Sequence, residues 1–402
     1  MKYDFDRLIS RKNTGCMKWD GAKALFGNTD VIPMWVADMD IPIAHPITEA
    51  MKERVEHNIF GYPVHHPESV MESIIYRMQK LYSWQILPEW IVFTPGIIPA
   101  LYTSVRAFSR PGDDVILQGP VYHPFWSAIR DNGCHVSENR LLLNDSHYEI
   151  DFDDLKTKFG TRSGRPSAPS RARLLILCSP HNPVGRVWTE EELTKIGEII
   201  TGNGAIIVSD EVHSELLFRD ARHTPIASLS EEFEQNSITC ISPSKTFNLA
   251  GLYASAIIIP NARYRRKFQE ARKGIVPGPN VFGLTAMEAA YKHGDEWLEQ
   301  LLVYLNSNLE YLLDYFERRI PAIRVIKPEG TYLVWLDCRK LGFVPEDLKK
   351  FLTNDAEVGL DEGSLFGPGG AGFARMNIAC PRSILTEALK RLESAVTRLK
   401  PL

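Results

Sequence analysis

Lys245 stands in the run Ser242-Pro-Ser-Lys-Thr-Phe-Asn-Leu-Ala-Gly251, directly after an apolar stretch over residues 238–241. A lysine at the end of a strand can act as an amine nucleophile. Free lysine has a pKa of about 10.4, so this chemistry near neutral pH requires removal from water or a neighbouring cation. For a lysine taken alone, the alternative is a solvated side chain in a loop. The residues that follow the other strands decide between these two interpretations.

Five segments share one pattern, in which an apolar run of strand length precedes a polar or glycine-containing turn. The runs cover residues 90–93, 115–117, 174–178, 205–208 and 238–241. Near-continuous apolar strands indicate a sheet that is buried on both faces, which implies parallel strands joined by crossover helices. In open sheets of this kind, ligands bind beyond the carboxyl ends of the strands. The sequence therefore predicts an α/β fold with a binding site along one rim.

The turns at this rim suit a phosphorylated aromatic aldehyde. The turn at residues 94–96 leads into helical spacing, so the backbone N–H groups of Gly96, Ile97 and Ile98 are a candidate phosphate cradle, with an ordinary strand-to-helix turn as the alternative. Asp210 follows an apolar strand and would need a cationic partner, which a protonated pyridine nitrogen provides. The alternative for this carboxylate is a helix N-cap.

Three further rim residues fit the same aromatic ligand. Asn182 can donate to a phenolate oxygen, although asparagine before proline is also a common turn residue. Tyr122 can stack on the ring face, with simple packing as its alternative. Ser242 can reach the phosphate. Each assignment depends on the others, because none of these residues is informative alone.

Motifs spread over nearly the whole chain carry a resemblance to a known family. They include Pro33-Met-Trp-Val-Ala-Asp-Met-Asp40, Phe60-Gly-Tyr-Pro63, Thr94-Pro-Gly96, Cys178-Ser-Pro-His-Asn-Pro-Val-Gly-Arg-Val-Trp188, Ser209-Asp-Glu-Val-His213, the Lys245 run, Pro328-Glu-Gly-Thr-Tyr-Leu-Val-Trp335 and Gly372-Phe-Ala-Arg-Met-Asn-Ile-Ala-Cys-Pro-Arg382. The ordered set resembles the pyridoxal-phosphate enzymes of aminotransferase fold type I. The segment at residues 34–40 favours the MalY/PatB-type cystathionine beta-lyases, which are carbon–sulfur lyases. The resemblance implies a large domain with a mostly parallel sheet between helices and a smaller α+β domain.

The resemblance also implies roles for individual residues. Lys245 corresponds to the Schiff-base lysine, Asp210 to the partner of the pyridinium nitrogen, Asn182 to the ligand of the ring hydroxyl and Tyr122 to the stacking ring. Arg375 corresponds to the arginine that binds the substrate α-carboxylate, and its planar fork suits that group.

Tyr62 resembles the tyrosine that reaches the phosphate bound by the neighbouring subunit, which implies a homodimer with shared active sites. The implied reaction is β-elimination on a small amino-acid substrate. Lys245 takes the α proton, a β-thiolate leaves, and pyruvate and ammonia are released. The sequence leaves open which thiolate departs. The alternative functions are a fold-type-I aminotransferase and a cofactor-bound regulatory or binding protein with weak lyase activity.

Composition is consistent with a cytoplasmic enzyme. The chain has 402 residues with 46 basic and 50 acidic side chains, so there is no basic field for nucleic acid or an anionic membrane. Charged residues interrupt the apolar runs before they reach spanning length, and the first residues lack the core of a signal peptide. The six cysteines form no CxxC pair, and no histidine spacing indicates a metal.

The pattern along the chain predicts two domains. Residues 46–285 alternate strands with helices and are expected to form the large cofactor-binding domain. Residues 286–402 begin with long helices and continue with strands, which is typical of a smaller second domain. Residues 1–45 are expected to contribute to that smaller domain.

Overall fold

The computed structural model describes residues 2–162, 165–169, 172–218 and 221–399. Within these residues the strands are β1 (Ile32–Pro33), β2 (Ile91–Thr94), β3 (Asp114–Leu117), β4 (His135–Glu138), β5 (Leu142–Asn144), β6 (His147–Glu149), β7 (Thr161–Arg162), β8 (Arg165–Pro169), β9 (Ala172–Cys178), β10 (Ile206–Asp210), β11 (Ser237–Ile241), β12 (Ser255–Ile258), β13 (Arg324–Ile326), β14 (Leu333–Asp337), β15 (Val358–Gly359), β16 (Asp361–Glu362) and β17 (Phe373–Asn377).

The α-helices within the same residues are α1 (Met17–Asp20), α2 (Ala22–Phe26), α3 (His45–Glu56), α4 (Glu68–Tyr82), α5 (Ile97–Phe108), α6 (His123–Arg130), α7 (Phe152–Thr157), α8 (Glu190–Gly202), α9 (Glu231–Gln235), α10 (Pro243–Thr246), α11 (Ala262–Arg272), α12 (Val281–His293), α13 (Asp295–Arg319), α14 (Pro345–Lys350) and α15 (Arg382–Arg398). A π-helical turn, Phe351–Asp355, continues α14.

The central sheet has the strand order β2-β12-β11-β10-β9-β3-β4. All of its strands are parallel except β12, which runs antiparallel to both of its neighbours. Every residue of β2, β3, β10 and β11 is buried. The prediction of a mostly parallel sheet, buried on both faces in an α/β fold, is therefore confirmed.

Helices cover both faces of this sheet because successive side chains of each strand point to opposite sides. Along β10, Val208 packs in the cluster that contains α5 and α6, whereas Ile207 packs in the cluster that contains α8. Helix α8 begins with a capping box, in which Thr189 and Glu192 each accept a hydrogen bond from the other residue's backbone N–H. The crossover helices thus hold the carboxyl ends of the strands at one rim.

A second, antiparallel sheet has the order β13-β14-β17-β16 and places Arg375 within β17. Helices α13 and α15 pack against each other beside it. The N-terminal segment reaches this region through β1, which pairs in parallel with β15. The domain limits at residues 45 and 285 stay a prediction, and α12 runs through the second of them.

No helix among the described residues is both long enough and apolar enough to cross a lipid bilayer.

Candidate active site

A cavity of about 480 Å³ opens at the carboxyl ends of the central strands. It brings together eight of the residues that the sequence singled out, namely Gly96, Ile97, Ile98, Tyr122, Asn182, Asp210, Ser242 and Lys245. The same cavity is lined by Ala37 from the N-terminal segment and by His213 and Tyr253 from loops. The residues predicted at the rim from the strand pattern therefore line a single cavity.

Lys245 reaches the cavity from α10, and Ser242 forms the N-cap of that short helix. Nζ of Lys245 donates a hydrogen bond of 2.7 Å to the Ala37 carbonyl oxygen. Loss of hydration lowers the pKa of Lys245 to about 8, with Arg375 acting in the same direction and Asp38 and Asp210 opposing it. The amine is thus much closer to its neutral, nucleophilic form than an ordinary lysine is.

Asp210 is the last residue of β10 and is buried between β9 and β11. Its Oδ1 accepts a hydrogen bond of 3.2 Å from the Val212 backbone N–H. Burial raises the pKa of Asp210 to about 7, although Val212 and Lys245 act to lower it. A carboxylate in this state is suited to a cationic ligand group placed against it.

Arg375 and Asn182 meet across the two sheets. Arg375 Nη1 donates to Asn182 Oδ1 at 3.0 Å, and both side chains are buried. Because the amide oxygen faces the guanidinium, Asn182 Nδ2 is the atom left to donate to a ligand. The guanidinium carbon also lies 4.9 Å from the centre of the Phe366 ring, which holds the group in one plane.

The phosphate cradle has the expected backbone geometry. Gly96 is the N-cap of α5 and has a φ of 143°, a conformation that side-chain-bearing residues rarely adopt. The following N–H groups of Ile97 and Ile98 belong to the first turn of the helix, where they lack intrahelical acceptors. Ser242 also lines the cavity, but its hydroxyl donates to the Ala254 carbonyl at 2.7 Å, so its proton is already engaged.

Tyr122 caps the start of α6 and lies edge-on to His123 and Phe125. Tyr62 lies elsewhere, in a groove that it shares with Phe60 and Asn280, and its side chain is fully exposed. Within one chain the structure therefore does not bring Tyr62 to the cavity, and its role at the site of a neighbouring subunit stays a prediction.

Sequence reasoning missed two groups that touch the predicted residues. The Ala37 carbonyl accepts from both Lys245 and the hydroxyl of Tyr332. The carboxylate of Asp361 accepts from Arg375 Nη2. A backbone carbonyl has no side-chain signature, and β16 has only two residues, so neither contact has a sequence signal strong enough to find it.

Pyridoxal 5'-phosphate fits this set of residues. Asp210 offers a buried carboxylate for a ring nitrogen, Asn182 offers an amide donor for a ring oxygen, and Lys245 offers an amine of lowered pKa for an aldehyde. The N-terminus of α5 offers N–H groups for a phosphate. No cluster of three or more His, Cys, Asp or Glu side chains that could hold a metal ion occurs in the described part of the chain.

A sequence profile of the family described as aminotransferase class I and II matches residues 29–392. The chain belongs to that aminotransferase family. It is 43% identical to cystathionine beta-lyase PatB of Bacillus subtilis (strain 168) over 396 residues, which cover 98% of this chain and 100% of the relative. It is 30% identical to protein MalY of Escherichia coli (strain K12), with coverage of 99% and 100%. These similarities confirm the resemblance to the MalY/PatB-type members of the aminotransferase family.

Solved structures of this aminotransferase family have the same fold. Cystalysin from Treponema denticola, which contains a pyridoxal 5'-phosphate cofactor, matches with a TM-score of 0.94 and 36% identity over 100% of both chains. The PLP-bound C-S lyase from Staphylococcus hominis matches with a TM-score of 0.91 and 32% identity over 98% of both chains. The aminotransferase-type fold predicted from the motifs is therefore confirmed.

Proposed function

We propose that the protein is a pyridoxal 5'-phosphate-dependent carbon–sulfur β-lyase. It eliminates a thiol from L-cystathionine or a related cysteine S-conjugate and, with the uptake of one water molecule, yields pyruvate and ammonia. The observation that carries this proposal is the pairing of Lys245 and Asp210 in one cavity of a chain that matches PatB over its whole length. Similarity to C–S lyases favours elimination over transamination.

The cofactor, when bound, supplies an electron sink for the bond that breaks at the substrate α carbon. Asp210 would hold positive charge on the ring nitrogen, because the carboxylate is buried with few donors of its own. Asn182 Nδ2 would hold the ring through its oxygen, and Tyr122, which lines the cavity, would pack against the ring. Ile97 and Ile98 would hold the phosphate through their backbone N–H groups.

Lys245 acts first as the covalent anchor and then as the base. With a pKa of about 8, about a tenth of the amine is unprotonated at pH 7, far more than for an ordinary lysine, so Nζ can accept the α proton. The Ala37 carbonyl, 2.7 Å from Nζ, holds the amine at the edge of the cavity. Arg375 binds the α-carboxylate and thereby fixes which bond of the α carbon faces Lys245.

An assay with L-cystathionine tests this function. The purified holoenzyme is incubated with L-cystathionine and no oxo acid, and pyruvate and free thiol are measured together. Equimolar release of both is the expected result. A requirement for an oxo acid would instead identify an aminotransferase, and release of neither product would contradict the lyase. A panel of cysteine S-conjugates then ranks the leaving thiols.

The exposed loop around Tyr62 supports a homodimer with shared sites. Ile59, Phe60, Tyr62 and Val64 are all more than half exposed, which leaves an apolar surface beside a groove of the same chain. In the proposed dimer, Tyr62 of each protomer reaches the phosphate in the cavity of the other. Light scattering after gel filtration gives the mass of the particle.

Mixing two inactive variants tests whether the sites are shared. A protomer with Lys245→Ala and a protomer with Tyr62→Ala are dissociated together and reassembled. If each site takes Lys245 from one chain and Tyr62 from the other, half of the dimers are mixed and each holds one intact site. About a quarter of wild-type activity should then return. No recovery above the sum of the separate variants would contradict a shared site.

A cytoplasmic location is the remaining part of the proposal. The proposal is supported by the six cysteines, none of which forms a disulfide and of which only Cys16 is partly exposed. Fractionation of the cells that produce the protein measures this directly.

A further inference from the structure

Arg375 is surrounded by hydrogen-bond acceptors that the chain itself supplies. Nη1 donates to Asn182 Oδ1 at 3.0 Å, and Nη2 donates to the Trp35 carbonyl at 2.9 Å and also to Asp361 Oδ2. The two hydrogens of Nη2 therefore serve two acceptors. Nε is buried and has no hydrogen-bond partner among the described residues.

This arrangement conflicts with simple capture of a carboxylate. A guanidinium binds a carboxylate through two parallel N–H bonds, either from Nη1 and Nη2 or from Nε and Nη2. Both modes need a hydrogen of Nη2. An incoming carboxylate must therefore replace either the Trp35 carbonyl or the Asp361 carboxylate.

Asp361 is the more easily displaced of these two acceptors. It lies in β16 directly opposite Arg375 in β17, and its side chain is 12% exposed, against 4% for the arginine. The Trp35 carbonyl belongs to a backbone segment that is held by Asn377, whose Nδ2 donates to the neighbouring carbonyls of Val36 and Asp38 at 2.6 Å. Asp361 also contributes to raising the pKa of Tyr122, after burial and Asp210, so its charge is felt inside the cavity.

We propose that Asp361 is a specificity-determining residue of the carboxylate subsite, which holds Arg375 until the substrate carboxylate takes its place. This inference rests on the proposed function only in assigning the α-carboxylate to Arg375. Asp361 lowers the affinity of the subsite for carboxylates, because its own carboxylate competes with that of the ligand for Nη2 of Arg375. A ligand without a carboxylate does not enter this competition.

The test compares two ligands of the same shape on the holoenzyme. Propionate carries the carboxylate and propionamide is its neutral counterpart, and calorimetric titration measures the binding of each. Asp361→Asn keeps the size of the side chain and removes its charge. The expected result is that the variant binds propionate about tenfold more tightly than the wild type, with propionamide unchanged. With L-cystathionine, KM should fall by a similar factor while kcat changes little.

Asp337→Asn is the matched control. Asp337 lies in the same sheet, its side chain is also 12% exposed, and it pairs with Arg339 at 2.7 Å. This variant should bind propionate as the wild type does. If Asp361→Asn gives no soluble holoenzyme, Asp361→Ser is titrated in its place.

Weaker propionate binding in the Asp361 variant would overturn the inference, because it would make Asp361 an orienting partner of Arg375. Unchanged binding would also overturn it, because it would show that the two carboxylates do not compete. The titration needs no turnover, so its result is separate from that of the lyase assay. A wild type without lyase activity, whose Asp361 variant still binds propionate more tightly, would refute the proposed reaction and retain the competition.

Discussion

Two buried aspartates of this protein have opposite surroundings. Asp40, 6% exposed, accepts hydrogen bonds from Lys18 at 2.7 Å and from Arg11 and Trp19 at 2.8 Å each. Burial alone would raise the pKa of Asp40, but these three partners outweigh it and lower the pKa. Asp210, 4% exposed, has Val212 as its backbone donor, and burial raises its pKa to about 7.

The difference distinguishes a carboxylate that stabilises the fold through ion pairs within the chain from one whose cationic partner would come from a ligand. Around Asp40, the chain itself supplies the cations, so the N-terminal segment is fixed over the cavity. At Asp210, the chain supplies burial without a matching cation in contact, and Lys245 is itself shifted toward its neutral form. Perturbed pKa values of this kind are typical of functional sites.

Lys245→Ala should have the largest effect. Removal of the amine takes away both the covalent anchor and the proton acceptor, so turnover should fall on the order of 10³-fold or more. Pyruvate release measures turnover, and mass spectrometry after borohydride reduction measures cofactor fixed to the protein. Lys350→Ala is the control, because Lys350 is an exposed partner of Asp347. Retained turnover in the Lys245 variant would refute its role.

Neutralising each aspartate in the apoprotein tests whether the two carboxylates differ in their contribution to stability. Asp40→Asn takes from Lys18, 1% exposed, the carboxylate at 2.7 Å and leaves only that of Asp38 at 3.8 Å, so the free energy of unfolding should fall by about 3 kcal/mol. Asp210→Asn should cost far less, because it removes a carboxylate with few donors. Denaturant unfolding of the two apoproteins measures both. Equal losses would mean that Asp210 is a structural charge like Asp40.

These contrasts mark what could be predicted from the sequence. Asp210 and Lys245 follow apolar strands, and local pattern was enough to place them at one rim. The segment at residues 34–40 carried a family motif, but its contacts with Lys245 and Arg375 join residues more than 200 positions apart. Such contacts are set by how the second sheet sits against the first, and no local spacing encodes that.

The pH dependence of apoprotein stability should show the Asp210 charge. Its pKa is about 7 in the folded chain against 3.8 for an ordinary aspartate, so the native state binds the extra proton between these values. The stability that this proton contributes is fully present below pH 3.8 and is lost as the pH rises to about 7. The Asp210→Asn variant should not lose stability in this way, because its amide does not titrate.

The measurement is the difference in free energy of unfolding between apo Asp210→Asn and the apo wild type at pH 5 and pH 8. The variant should gain on the wild type by on the order of 2 kcal/mol at the higher pH. Pyridoxal phosphate should reverse the trend for the wild type, because the ligand then supplies the cation. A difference that is constant with pH would show that Asp210 has an ordinary pKa.

Ser242→Ala should have the smallest effect of these substitutions. Although Ser242 lines the site, its hydroxyl is paired as fully as the Asp40 carboxylate, since it donates to the Ala254 carbonyl and accepts from the Ser244 N–H. Its loss should therefore cost about 1 kcal/mol of stability, as for any N-cap serine. Ser230→Ala, at the N-cap of α9, is the control. Equal losses of stability in the two variants, with unchanged cofactor affinity, would show that Ser242 has a structural role only. A weaker cofactor affinity in the Ser242 variant alone would mean that its hydroxyl contacts the phosphate.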